Sequence, residues 1–299
     1  MLLDRLAPVL FVLLWSTGWI VAGFATPHAD PLVFLVVRYG AAALVLLFVC
    51  LVFRAAWPTS RAQWGHAIFS GVLLHGIYLG GIWWAIDAGL PTALSGLIAA
   101  LQPILTAISA PFLIGERLTR KQWIGICCGL SGLLIAIVPR LVILQWSEIG
   151  TALVPLLVNV VSMAAVTAGT IYQKRYLQIG DLRTTATLQY VGALAFTLPF
   201  AMLMEDMHIN WNTELILALI WSVFGISIGA IALLLYLIRR GQVSRAASLI
   251  YLVPPTIAIQ AFFFFGEQLT LPMVVGTLIV VLGVYLTNRR PENIAPAAK

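Results

Sequence analysis

Few side chains in this sequence could do chemistry, and the two ionisable groups that fall deep inside apolar stretches are Arg38 and His75. A guanidinium in an apolar helix could bind a substrate carboxylate, or it could be a structural cation bonded to a neighbouring helix. His75 shares a helix face with Tyr78, Leu79 and Ile82 by i, i+3, i+4, i+7 spacing, so it could pack, line a cavity or relay a proton. We assign Arg38, His75, Tyr78 and Leu79 to a candidate substrate cavity.

Two tryptophans, Trp15 and Trp19, lie on one face of the first apolar stretch and well inside it. Tryptophan commonly forms a belt at the membrane surface, a position that suits Trp146 and Trp211 at the ends of their stretches. Aromatic walls can also stack on flat or amphipathic molecules and hold an amino group by cation–π contact. Trp15 and Trp19 are predicted to line the cavity, with the belt as the alternative.

Prolines interrupt two later apolar stretches. Gln102 precedes Pro103, and Tyr251 comes shortly before Pro254 and Pro255. A proline inside a helix removes one backbone hydrogen bond and frees a carbonyl, so both helices are predicted to bend near the middle of the membrane. Such bends suit hinges beside a binding site, although a static kink is the alternative. The three prolines are the predicted hinges, and Gln102 and Tyr251 are predicted cavity residues.

Two amides, Asn159 and Gln260, also fall inside apolar stretches. Each could hold two helices together by a hydrogen bond, or each could contact a substrate. The first role is the simpler one for both, and both are kept among the cavity candidates.

Two glutamates, Glu116 and Glu267, could be considered as catalytic acids, but both fall in short turns between apolar stretches. Each follows a glycine, Gly115 or Gly266, of the kind that ends helices. Thr119 begins a Thr-x-x-Gln spacing that could cap the next helix. The two Gly-Glu pairs are therefore predicted to be structural turn residues.

Several kinds of chemistry have no support in the sequence. It contains no Walker phosphate-binding loop, no His/Cys cluster with metal-ligand spacing and no carboxylate in the middle of an apolar stretch. We therefore predict no cofactor, no metal and no ATP drive, and a facilitator or a weakly proton-linked carrier fits better. An intramembrane hydrolase using Ser95 with His75 is the rival enzyme hypothesis, but their predicted depths differ, so no enzyme activity is predicted.

The composition points to a bilayer. The 299 residues are 61% hydrophobic and 9% charged, with a mean hydropathy of +1.01. A soluble domain is about a quarter charged, because its surface faces water. The net charge of +6 comes from short basic clusters between apolar runs, which is typical of membrane topology and not of nucleic-acid binding.

Ten apolar stretches are long enough to cross about 30 Å of hydrocarbon as helices. They cover 7–25, 31–53, 65–87, 92–114, 121–139, 149–172, 184–204, 213–237, 244–265 and 272–288. The sequence therefore predicts an all-α polytopic membrane protein. Fifteen of the 17 Lys and Arg fall in segments that are cytoplasmic when the N-terminus is inside, which predicts that both termini are cytoplasmic.

The chain repeats itself at an offset of 151 residues. Between Leu101 and Gly132, twelve of 32 positions are identical to their partners, including both Leu-x-Pro and both Gly-Glu-x-Leu-Thr motifs. Each half then holds five helices. Because five is odd, the second copy enters the bilayer from the opposite side, as in the inverted repeats of secondary transporters.

The segment from Tyr236 to Pro254, followed by Gly-Glu-x-Leu-Thr at 266–270, resembles the EamA repeat of the drug/metabolite transporter superfamily. A weaker copy in the first half holds Trp15, Arg38 and the same signature at 115–119. The resemblance implies a ten-helix carrier built from two inverted five-helix copies around a central cavity. The aromatic residues are similar to those of the family's aromatic amino acid exporters.

The expected domains are a first repeat at 1–140, a second at 141–290 and a cytoplasmic tail at 291–299. The expected function is export of small organic metabolites, most of all amino acids, across the inner (plasma) membrane by alternating access. The alternatives are a multidrug or organic-cation exporter of the same fold and, outside this class, a receptor or lipid scramblase. The expected partners are the bilayer and a small-molecule substrate, without nucleic acid, and the chain could be a monomer or a homodimer.

Overall fold

The computed structural model describes residues 2–114, 118–142, 146–178, 180–230, 233 and 252–288. Within these ranges the chain is helical apart from short connections, and the one β-bridge pairs Ala29 with Ile209. The helices of the described ranges make ten passes, seven of them long and apolar enough to span a bilayer and three shorter. The all-α polytopic fold expected from the sequence is confirmed.

The passes are numbered in chain order. In the first half, pass 1 is α1 (Leu2–Ala25), pass 2 is α2 (Pro31–Val52), pass 3 joins α3 (Arg61–Gly71), a π-helical segment (Val72–Ile77) and α4 (Tyr78–Asp87), pass 4 joins α5 (Thr92–Ile98) and α6 (Leu101–Ile114), and pass 5 is α7 (Arg120–Val142). In the second half, pass 6 is α8 (Trp146–Tyr176), pass 7 is α9 (Leu182–Met204), pass 8 joins α10 (Thr213–Ile220) and a π-helical segment (Trp221–Ala230), pass 9 includes α11 (Val253–Phe265), and pass 10 is α12 (Leu271–Asn288).

The contact between α7 and α12 shows the inversion of the two halves. A Cβ added to Gly125 would lie 2.6 Å from the carbonyl oxygen of Gly283, and one added to Gly132 would lie 2.6 Å from that of Gly276. Later residues of α7 therefore contact earlier residues of α12, so the two helices are antiparallel. Because Gly125 is equivalent to Gly276 and Gly132 to Gly283, one contact is the symmetry copy of the other. Equivalent helices thus cross the membrane in opposite directions.

The helix breaks also repeat. The π-helical segment of pass 3 covers residues 72–77, and the equivalent residues of the second repeat, 151 positions later, are 223–228. These lie inside the π-helical segment of pass 8. Helix α6 begins at Leu101 after a break at Ala99 and Ala100, and α11 begins one residue after the position equivalent to Leu101. π-Helical turns often accompany functional sites, because they change the direction of side chains within a helix.

The predicted proline hinges lie in the first turns of helices. Pro103 is the third residue of α6, and Pro254 and Pro255 follow the first residue of α11. A proline is tolerated in a first turn, where its missing N–H would have no helical partner. The regular helix of pass 4 is interrupted at Ala99 and Ala100, shortly before Pro103.

Charge distinguishes the two ends of the bundle. One end, which we name the acidic end, carries the connections after passes 1, 3, 7 and 9 and holds Asp30, Asp87, Glu205, Asp206, Glu214 and Glu267. The opposite, basic end holds Arg54, Arg61, Arg120, Lys121, Lys174, Arg175 and Arg183. Around the middle, large apolar side chains such as Leu44 and Phe48 are about two-thirds exposed, as expected for a surface that faces lipid.

Candidate substrate cavity

A cavity lies near the middle of the bundle, where passes 1, 3, 4, 9 and 10 meet. Its empty space, counted together with the open mouth, is about 450 Å³. Its wall is mostly aromatic and aliphatic, with few polar groups. The described lining residues are Trp15, Trp19, Tyr78, Ala99, Ala100, Gln102, Pro103, Val253, Pro254, Val280, Val281 and Val284.

The two tryptophans of α1 form one wall of the cavity. Trp15 packs against Phe11, with ring centroids 5.5 Å apart. Trp19 is 5% exposed, and its indole N–H donates to the hydroxyl of Ser95 in α5 over 3.2 Å. Ser95 also accepts a hydrogen bond of 2.5 Å from the amide nitrogen of Asn159 in α8. A buried polar network therefore fixes the orientation of the Trp19 ring.

Arg38 is buried close enough to Tyr78 to act on it electrostatically, but it is not itself among the described lining residues of the cavity. It has no matching anion among the described residues. It is 4% exposed, and its Nε has no hydrogen-bond partner in the described part of the chain. Its charge acts electrostatically on Tyr39, His75 and Tyr78, and Tyr78 itself lines the cavity. A buried guanidinium without a counter-ion attracts an approaching anion, because the anion both accepts its hydrogen bonds and neutralises its charge.

His75 belongs to a cluster of rings next to the cavity and is not among its lining residues. It lies in the π-helical segment of pass 3 and stacks on Tyr190, with centroids 4.7 Å apart and an interplanar angle of 16°. Tyr39 donates its hydroxyl to the His75 carbonyl over 2.9 Å. Tyr39 and Tyr190 are equivalent positions of the two repeats, and their rings are 6.1 Å apart. The two copies thus meet at this cluster.

Four of the predicted cavity residues and two of the predicted hinge prolines line the cavity. They are Trp15, Trp19, Tyr78 and Gln102, with Pro103 and Pro254. Leu79 instead packs on the hydrophobic core, and Gln260 donates to the Leu13 carbonyl over 3.4 Å while its Oε1 is buried without a partner among the described residues. Pro255 is outside the lining, and Tyr251 lies outside the described residues.

Some lining residues carry no signal in the sequence. Val280, Val281 and Val284 come from α12, where apolar side chains facing lipid and facing the cavity have the same character. Ala99 and Ala100 could have been found, because they directly precede the Leu-x-Pro motif at which pass 4 is interrupted.

The second Gly-Glu turn makes a long-range contact as well as a local one. Gly266 ends α11 with φ of +65°, the left-handed conformation that favours glycine. The carboxylate of Glu267 accepts hydrogen bonds from the backbone N–H groups of Thr92 and Ala93, at 2.8 and 2.9 Å. The first pair, Gly115 and Glu116, lies outside the described residues.

The capping box predicted before α7 is present. The Thr119 backbone N–H donates to the side-chain oxygen of Gln122 over 2.9 Å, and the Gln122 N–H donates back to the Thr119 hydroxyl over 3.3 Å. These reciprocal bonds satisfy N–H groups at the start of α7 that have no helical partner.

The pairing that an intramembrane hydrolase would need does not occur. The Ser95 hydroxyl is bonded to Trp19 and Asn159, whereas His75 contacts Tyr39 and Tyr190. A serine nucleophile requires a base within hydrogen-bond reach. Ser95 therefore serves the cavity wall in this structure.

Comparison with known proteins agrees with this architecture. The profile of the EamA-like transporter family matches residues 6–138 and 153–289, one match in each half. The uncharacterized transporter YvbV of Bacillus subtilis is 24% identical, over 96% of this chain and 92% of its own. A probable amino-acid metabolite efflux pump of Salmonella typhimurium is 26% identical, over 95% and 94%.

Two further relatives extend the comparison. A probable terminal-alkyne amino-acid exporter of Streptantibioticus cattleyicolor is 24% identical, over 68% of this chain and 66% of its own. A solved crystal structure shares the fold with a TM-score of 0.66 at 18% identity, covering 95% of this chain and 97% of its own. The chain is a multi-pass membrane protein that belongs to the EamA-like transporter family.

Proposed function

We propose that this transporter exports amino acids or closely related small metabolites through the cavity by alternating access. The observation that carries the proposal is an aromatic cavity wall near a buried cation, Arg38, that has no anionic partner among the described residues. Trp15 and Trp19 offer surface for an apolar side chain or an ammonium group, and Arg38 offers a partner for a carboxylate.

The physical argument rests on the cost of burying Arg38. An unpaired ion in a low-dielectric interior costs on the order of several kcal/mol, and a carboxylate that forms hydrogen bonds with the guanidinium recovers part of that cost. A zwitterionic amino acid supplies this carboxylate and keeps a low net charge. The efflux-pump and exporter names of two relatives support the same substrate class.

The second candidate is a multidrug or organic-cation exporter of the same fold. The tryptophan wall favours it, since cations bind over the faces of aromatic rings. Arg38 disfavours it, because two like charges beside one cavity repel each other. A receptor or a lipid scramblase is the remaining alternative, and neither would move a soluble amino acid across a sealed bilayer.

The proposal includes the membrane arrangement. We place both termini in the cytoplasm and the acidic end outside, because basic segments resist translocation across the inner membrane. Residues 1–140 and 141–290 are the two repeats, with 291–299 as a cytoplasmic tail. No carboxylate lies in the middle of an apolar stretch of the sequence, which favours facilitated or weakly proton-linked transport.

Transport into sealed liposomes that contain the purified protein tests the function. Labelled phenylalanine and labelled tetraphenylphosphonium are compared, with competition by unlabelled amino acids, nucleobases and amines. We expect phenylalanine flux that amino acids suppress. Flux of the cation alone would support the second candidate, and flux of neither, with lipid movement between leaflets, would support a scramblase.

A further inference from the structure

The helix α5 lies between the cavity and the acidic end along pass 4. All seven residues of this helix, Thr92–Ile98, are buried. Its last residue is followed by Ala99 and Ala100, which line the cavity, and its first residue follows the acidic-end connection at Leu90 and Pro91. A molecule in the cavity could reach the acidic end along pass 4 only if α5 moved.

Close packing holds α5 against its neighbours. A Cβ added to Gly96 would lie 2.6 Å from a side-chain carbon of Ile257 in α11, so the two helices meet without space for a methyl group. Ser95 links α5 to α1 through Trp19 and to α8 through Asn159. Toward the acidic end, Ala93 joins an apolar cluster with Ile20 of α1 and other residues of α11.

The break after α5 makes it a separate segment. Between Ile98 and Leu101 the regular α-helical bonding of pass 4 is interrupted, and the N–H groups of Ala100 and Gln102 donate to carbonyls three residues back, at 3.1 Å each. Discontinuous helices near the middle of the membrane are points at which a half-helix can tilt without unfolding the rest of the pass. This interruption is the point at which we expect α5 to move relative to α6, whose residues Gln102 and Pro103 line the cavity.

One carboxylate joins the start of α5 to the other half of the protein. Glu267, in the connection between α11 and α12, accepts from the N–H groups of Thr92 and Ala93 at 2.8 and 2.9 Å. Hydrogen bonds to a charged acceptor are stronger than those between neutral groups. These two bonds span 175 and 174 positions of the chain and cross from the second repeat to the first.

We propose that α5 is a gate between the cavity and the acidic end, and that Glu267 is the latch that holds this gate closed. The inference does not depend on the substrate. It explains why a glutamate follows the helix-ending Gly266, where any polar residue would suit an exposed turn.

Glu205 provides a matched control. Its carboxylate accepts from the N–H groups of Leu32 and Val33 at 2.9 and 3.0 Å, which is the same contact made by the same residue type at the same end of the bundle. It connects passes 7 and 2, and neither pass contributes a described lining residue of the cavity. Loss of this contact should disturb the protein locally without opening the cavity.

Cysteine labelling tests the gate without any transport measurement. The three native cysteines, Cys50, Cys127 and Cys128, are changed to alanine, and Ala99→Cys places a single thiol in the cavity wall. A membrane-impermeant maleimide is applied to each face of the membrane in turn, using intact cells and inverted vesicles. The initial labelling rate from each face is the readout, so the orientation of the chain need not be assumed.

We expect Glu267→Ala to raise the labelling rate from the acidic-end face by about tenfold, because removal of two charge-assisted bonds favours the open gate. Glu205→Ala should leave that rate unchanged. Gly96→Ala, which pushes α5 away from Ile257 by a different route, should raise it as well.

Unchanged labelling in both Glu267→Ala and Gly96→Ala would overturn the gate, and an equal increase in Glu205→Ala would show that Glu267 is not a specific latch. Since the labelling requires no substrate, a failure of amino-acid flux in liposomes would overturn the proposed function and leave the gate standing.

Discussion

The indole N–H of Trp19 and the hydroxyl of Ser95 are 3.2 Å apart, and this bond joins the cavity wall to α5. Trp19 contributes aromatic surface to the cavity, whereas Ser95 is fully buried behind it. The orientation of the indole ring, and with it the shape of the cavity, therefore depends on a residue that no substrate touches.

Ser95→Ala should leave the Trp19 N–H and the Asn159 amide without their acceptor. A buried donor without a partner costs about 1–3 kcal/mol, so we expect lower thermal stability and a higher KM with a smaller change in kcat. Ser162→Ala is the control, because the hydroxyl of Ser162 bonds to the Val158 carbonyl of its own helix. Equal effects of the two substitutions on KM would contradict a positioning role for Ser95.

Arg38→Gln should remove the proposed partner of the substrate carboxylate. We expect at least about a tenfold loss of flux for amino acids, since a charge-assisted bond to a buried ion contributes about 1.5–3 kcal/mol. Flux or competition by the corresponding amine, which lacks a carboxylate, should be unaffected or improved. Arg38→Lys should restore part of the amino-acid flux, because lysine keeps the charge and loses the paired N–H groups.

Arg61→Gln is the matched control for Arg38, because it removes a charge from the exposed start of α3. Its flux should equal that of the unaltered protein. If Arg38→Gln lowered the flux of amino acid and amine equally, Arg38 would be a structural cation, which is the alternative that the sequence left open.

The sequence predicted the cavity best where an unusual residue type lies deep inside an apolar stretch. Trp15, Trp19 and Tyr78 could be predicted because tryptophan and tyrosine usually lie at the membrane surface and are unusual deep inside an apolar stretch. The partner of Glu267 could not be predicted, because a turn pattern describes local backbone and the partner N–H groups lie in the other repeat. Spacing along the chain carries no information about such a tertiary contact.

The inverted architecture was predictable for a different reason. The repeat at 151 residues, with five helices per copy, determines the relative direction of the copies by parity alone. The way in which they meet was not predictable, since the stacking of His75 on Tyr190 depends on a π-helical turn that no residue pattern indicates.

The glycine contact between α7 and α12 gives a prediction about stability. Gly132→Ala and Gly276→Ala should each lower the free energy of unfolding by about 1–3 kcal/mol, because the new methyl group meets backbone atoms that cannot rotate away. Gly18→Ala is the control, since no atom outside its own helix backbone lies within 4 Å of the added Cβ. Thermal unfolding in detergent measures all three, and a drop for Gly18→Ala as large as the others would refute the explanation.

His75→Phe should preserve flux and its pH profile. A phenyl ring can keep the stacking on Tyr190, whereas His75→Ala loses a ring pair that contributes about 0.5–1.5 kcal/mol beyond its buried area. We therefore expect reduced stability for the alanine variant only. A shift of the pH profile in the phenylalanine variant would instead show that the imidazole relays protons.

Asp181 gives a pH-dependent prediction at the basic end, outside the membrane-spanning helices. Its side chain accepts from the Arg183 backbone N–H over 2.9 Å, and a hydrogen bond from the Arg183 side chain is the largest cause that lowers the pKa of this carboxyl. Because the folded-state pKa is below the ordinary value of 3.8, the contribution to stability is present above that pH and is lost as the pH falls through the lower folded value.

Asp181 is also the N-cap of α9. Asp181→Asn tests the coupling directly, because asparagine caps a helix start equally well but carries no charge. Near neutral pH its melting temperature should be lower than that of the unaltered protein, because the bonds from the Arg183 side chain to a charged carboxylate are lost. Asp181→Ala should lose about a further 1 kcal/mol, because the cap is lost as well. Below about pH 4 the unaltered protein should lose stability more steeply than either variant, because only the aspartate side chain can be protonated at this site. Parallel stability curves for all three proteins across this range would mean that the ion pair with Arg183 is too well screened by solvent to matter.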